Sequence, residues 1–289
     1  MTKIRKEGSS SQIQDRRSQS SGGAAGGGLG DLLGGMLGGG GSGGGGGGLG
    51  LPTKMGGGLL GIIVMVAALF LPRLLNGAGT QQAVDTRAAD GSEAACSTEI
   101  EQIVCGGTED VQDFWEREFA ARGERYTTTQ TVFFSGATNT GCGRASSNTG
   151  PFFCPADDLV YFDLDFLLQL QSQFKAEGDL AAQYIVAHEY GHYVQDLLGI
   201  NAEMTRLQQR NPSKANQYSV ALELQADCLA GVWANDAAAR GQFDSSREIN
   251  EALNAAEAVG DDRIQQQSQG YVDPDSFTHG TSEQRKTWF

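Results

Sequence analysis

AAQYIVAHEYGHYVQDLL, residues 181–198, is helical by its apolar spacing and carries two of the chain's three histidines. His188 and His192 are four residues apart, which on an α-helix is a rotation of about 400°, so both imidazoles leave one face and can approach a single Zn²⁺. Glu189 lies about 100° round the helix from His188, near enough to take a proton from a water at the metal without being a ligand. Ile185, Val186, Ala187 and Val194 flank these groups, and unpaired polar side chains in such a setting are costly. A catalytic zinc needs a third protein ligand and an open fourth position. The next strongly apolar helix, ALELQAD at residues 221–227, offers Glu223 and Asp227, again four apart. Glu223 is expected as the third ligand and Asp227 as the acceptor for a ligand imidazole N–H, which accounts for both carboxylates.

Around this pair of helices the periodicity predicts an α+β domain, mainly helical with a small sheet. Ser97–Arg122 reads as two helices broken at Gly106-Gly107, with Thr108 capping the second. Thr127–Phe134 (TTTQTVFF) reads as a strand, Gly136–Pro151 as a loop and Phe152–Asp163 as a strand pair at a sheet edge. Helices follow over Asp165–Glu177, Leu180–Leu198, Gln217–Arg240 and Glu248–Val259. The third histidine, His279 in SFTHGT, is a loop residue that could fold back to assist the oxyanion formed when a carbonyl is attacked. Arg285 and Tyr271 are further candidates for that task.

The first half of the chain has a different composition. Of 42 glycines, 22 fall between Gly22 and Gly58, too little apolar matter to offset the entropy of ordering that stretch. Residues 1–21, with Lys3, Arg5, Lys6, Arg16 and Arg17, read as a solvated basic tail, so that 1–58 is expected as a disordered arm. The uncharged run LLGIIVMVAALFL at residues 59–71 suggests one transmembrane helix over 59–75, in competition with a signal segment or a buried helix. The basic start favours a cytoplasmic N-terminus, a linker over 76–95 and a domain over 96–289 outside the membrane. The net charge of −14 becomes −18 from Asn76 onward, where 14 basic residues face 32 acidic ones; such a domain repels phosphate backbones, and nucleic-acid binding is set aside. Pairing by proximity joins Cys96 to Cys105 and Cys142 to Cys154 and leaves Cys228 as a buried thiol. Two such disulfides fit an oxidising compartment.

With HEYGHYVQ and ELQADCLAGVWA both in place, the chain resembles the bacterial neutral zinc metallopeptidases, which are membrane-anchored and gluzincin-like. KIRKE, SGA, CGRAS, GPFFCPAD, VYFDLDF and SFTHGTSEQR extend the resemblance over nearly everything outside the glycine tract. It implies a zincin fold, His188 and His192 as ligands, Glu189 as base and Glu223 as third ligand. The pattern departs from the metzincins, whose third His would fall at Leu198. The expected function is a zinc peptidase acting on peptides or proteins. The alternative is a zinc-containing membrane adaptor that cleaves nothing, for which Glu189 has no use.

Overall fold

The computed structural model describes residues 2–18, 92–94, 96–168, 178–243 and 246–289. Its elements are β1 (Ser10–Asp15), β2 (Ser92–Ala94), α1 (Glu99–Ala121), β3 (Thr131–Phe134), β4 (Ala137–Thr140), β5 (Gly143–Ser146), β6 (Phe152–Cys154) and β7 (Leu159–Asp163), then α2 (Asp179–Leu197), α3 (Ile200–Arg210), α4 (Ala215–Ala239), α5 (Ser246–Ala258), α6 (Asp261–Gln269) and α7 (Ser282–Trp288). Mostly helical with a small sheet, this is the expected α+β class. The sheet order is β2-β1-β3-β7-β6, with β1, β3 and β7 parallel and both outer strands antiparallel to their neighbours.

Alternation along the strands gives the sheet two buried faces. Ile13, Phe133, Val160 and Phe162 join the main core with residues of α1, α2, α4 and α5. Val132, Phe134, Cys154 and Tyr161 form a smaller cluster on the other side. The stretch 136–151, expected as loop, contains the hairpin β4–β5, which the Cys142–Cys154 disulfide fastens to β6. The second expected pair, Cys96–Cys105, is also closed, and Cys228 is a free, partly buried thiol.

α1 begins in a capping box: the Thr98 hydroxyl accepts from the Glu101 N–H, and Glu101 Oε2 accepts from the Thr98 N–H at 2.8 Å. It runs on through Gly106-Gly107, where the sequence suggested a break. A Cβ at Gly106 would stand 2.7 Å from Arg5 Cα, and one at Gly107 would stand 3.3 Å from Gln183 Cγ. These glycines therefore admit neighbouring chain rather than end the helix. Thr108 is no cap; it is buried in the helix interior with its hydroxyl 3.2 Å from that of Thr131.

Arg5 belongs to the second difference. Residues 2–18, expected as a solvated tail, are part of the domain. β1 is an inner strand, with Ile13 opposite Thr131 and Asp15 opposite Phe133, and both Ile4 and Ile13 are buried. Arg5 pairs with Asp179 at 2.7 Å, and Arg17 pairs with Glu101. Its basic side chains are the partners of acidic groups at the starts of α2 and α1.

This placement corrects the expected localisation. Among the described residues no helix is long and apolar enough to cross a membrane. The segment 59–75 lies outside the described residues, as do the glycine tract and residues 169–177 of the expected helix after β7. β1 precedes that segment and β3 follows it, yet the two pair in one sheet. A single crossing between them would hold them on opposite sides of a bilayer, so an N-terminus inside with the domain outside does not hold.

Candidate metal centre

α2 and α4 cross at the HEYGH segment, and the crossing explains the glycine within it. A Cβ at Gly191 would lie 3.0 Å from the carbonyl oxygen and 3.1 Å from the Cα of Ala226. Without one, α4 comes close enough to set Glu223 and Asp227, one turn apart, against His188 and His192. On its far side α2 is anchored to the sheet by the Tyr190 hydroxyl, 3.0 Å from that of Thr131.

His188, His192 and Glu223 each offer a ligand atom, all within 4.8 Å of one another. His188 Nε2 is 3.2 Å from Glu223 Oε2, and His192 Nε2 is 3.5 Å from Glu223 Oε1. Ligand atoms bound tetrahedrally to Zn²⁺ at about 2.0–2.1 Å stand roughly 3.3 Å apart, so the donor set suits zinc in type, and the three groups are close enough to converge on one ion.

The remaining ring nitrogens are occupied, which fixes the tautomer of each imidazole. His188 Nδ1 lies 2.8 Å from Asp227 Oδ1. Asp227 is fully buried and also accepts from the Tyr184 hydroxyl at 2.6 Å and from both Nε and Nη2 of Arg285, at 2.8 and 2.9 Å. Burial alone would raise the Asp227 pKa, but the Arg285 guanidinium and His188 hold it far below the usual carboxylate range. Burial opposes charge on His188 too, and there Asp227 outweighs it, raising the pKa to about 9. Glu223 is kept well below its ordinary value against burial, chiefly by His192 and His279.

His192 Nδ1 is 2.9 Å from Gln195 Oε1, and Gln195 Nε2 donates to the Leu222 carbonyl at 2.8 Å and to Gln225. Gln195 thus orients His192 while tying α2 to the turn of α4 that bears Glu223. The sequence reading missed it; its position three residues after His192, on the same face, was the available clue. Gln195→Leu is expected to weaken Zn²⁺ binding at least about tenfold, measured by competition with a chromophoric chelator. Unchanged affinity would mean that Gln195 does not orient His192.

Glu189 is buried and stands outside the ligand cluster, its Oε2 accepting from the backbone N–H of Phe153 in β6 at 3.1 Å. His279 is pinned by Asp261, which accepts from the backbone N–H groups of Thr278, His279 and Gly280 and lies 3.1 Å from His279 Nδ1. Burial lowers the His279 pKa, but Glu223 and Asp261 more than reverse this, so the ring senses the ligand carboxylate. Of the two other oxyanion candidates, Arg285 is committed to Asp227, and Tyr271 is exposed.

The chain is similar to several known proteins. An uncharacterized protein of Escherichia coli K12, YpfJ, is 44% identical over 243 residues, covering 83% of each chain. An uncharacterized protein of Mycobacterium bovis, Mb2605, is 48% identical over 174 residues, covering 57% of this chain and 58% of its own. No solved structure matches. Residues 37–289 match the family described as "Putative neutral zinc metallopeptidase", whose name implies the metal that the His-His-Glu cluster fits, and the chain belongs to that family.

Proposed function

We propose that the chain is a zinc-dependent peptidase in which His188, His192 and Glu223 hold the metal and Glu189 moves the proton. The observation that carries this reading is the position of Glu189: next to a ligand on α2, outside the ligand cluster, and bonded to the strand at the edge of the sheet. Zn²⁺ held by these three residues would supply an acidified water and a Lewis acid for the scissile carbonyl. Glu189 accepts the water's proton as its oxygen attacks the carbonyl carbon and delivers a proton to the amide nitrogen as the C–N bond breaks. His279, held by Asp261, donates a hydrogen bond to the carbonyl oxygen as it gains charge. Asp227, Arg285, Tyr184 and Gln195 keep the ligands in their tautomers. In a zinc adaptor that cleaves nothing, Glu189 would serve only to hold the Phe153 N–H.

The full chain, loaded with zinc and incubated with a diverse peptide pool, is expected to cleave it, and a chelator to abolish the cleavage. No chelator-sensitive product would sink the peptidase reading in favour of the adaptor.

A further inference from the structure

The sheet edge beside Glu189 has lost its backbone donors. β6 is the outermost strand and runs antiparallel to β7 with Phe153 opposite Val160. The Val160 N–H donates away from β6, to the carbonyl of Gln130 at 3.1 Å. Phe153 and Val160 therefore form a pair that exchanges no hydrogen bonds, and both the N–H and the C=O of Phe153 face outward. The N–H is taken by Glu189. The residues that bound the strand, two positions away in each direction, are Pro151 and Pro155, and neither has an N–H to offer. Over residues 151–155 the outer edge offers carbonyl acceptors and no free donor.

An edge of this kind cannot build the two-way ladder by which an extended peptide usually adds to a sheet. Resting on the peptidase reading above, we propose that substrate is held at β6 as a donor only, one substrate N–H bonding to the Phe153 carbonyl beside Glu189. The substrate class follows from this. The residue facing Phe153 must carry a secondary amide, so a proline or an N-methylated residue is rejected there. Recognition does not extend along the strand by further backbone pairing, and a second copy of the chain cannot pair on this edge either.

The test uses the zinc-loaded full chain and a peptide it cleaves, resynthesised with a single N-methyl group at each backbone nitrogen flanking the scissile bond in turn. One position is expected to lower kcat/KM at least tenfold, while methylation two residues to either side of it changes kcat/KM less than threefold. Sensitivity at two positions separated by two residues would establish a ladder and overturn the proposal. A flat scan, with the parent peptide cleaved, would overturn it while leaving the peptidase reading intact. Failure to cleave any parent peptide would remove the peptidase reading and this proposal with it.

Discussion

Replacing Glu189 with Gln is expected to lower kcat for peptide cleavage on the order of 1,000-fold while zinc stays bound at full stoichiometry. The two side chains have the same shape, and the Gln carbonyl can still accept from the Phe153 N–H that Glu189 now engages. The three ligand side chains, His188, His192 and Glu223, are untouched. What disappears is the capacity to take up a proton and give it back. Metal analysis by mass spectrometry alongside the kinetics separates two failures. Retained cleavage would remove Glu189 from the mechanism, and loss of zinc together with activity would make it a part of the metal's support.

Deleting residues 2–18 is expected to abolish the cooperative thermal unfolding transition of the domain. Ile4 and Ile13 are buried, and two such side chains contribute about 3–6 kcal/mol through burial alone, against a typical total stability of about 5–15 kcal/mol. The deletion also strips β3 of one of its two neighbours and leaves Asp179 and Glu101 without Arg5 and Arg17. It opens the space over Gly106 that the Arg5 backbone fills. Circular dichroism melts of the full chain and of the chain lacking 2–18 provide the measurement. Equal midpoints would show that β1 is dispensable. A fragment beginning after the apolar run at 59–71 lacks the same strand, so activity assays belong on the full chain.

Short-range pattern made the centre legible and hid the edges of the fold. The spacings His188–His192 and Glu223–Asp227 are each one helical turn, and both disulfides close loops within a dozen residues, so sequence neighbours were also spatial neighbours. β1 gave no such cue. SSQIQD contains one apolar residue, and its parallel partner lies more than a hundred residues further on, so a sheet strand read as a polar tail. Gly106-Gly107 misled for a related reason: glycine breaks a helix in isolation, but here it admits two other segments of chain. Arg285 drew attention as a charge that could stabilise an oxyanion. Only tertiary structure brings it to Asp227, and once bonded through two nitrogens it has little left to offer a substrate.

That contact also sets a timetable. Arg285 follows Glu223 by 62 residues, so at about 5–20 residues per second the ribosome finishes Glu223 roughly 3–12 s before it delivers the guanidinium. Throughout that interval the nascent chain has His188, Glu189, His192 and Glu223, but Asp227 lacks the cation that offsets its burial. The cation beside Asp227 thus comes from a segment made after both helices of the site, and a growing chain carries the centre in an unfinished state until Arg285 has been synthesised.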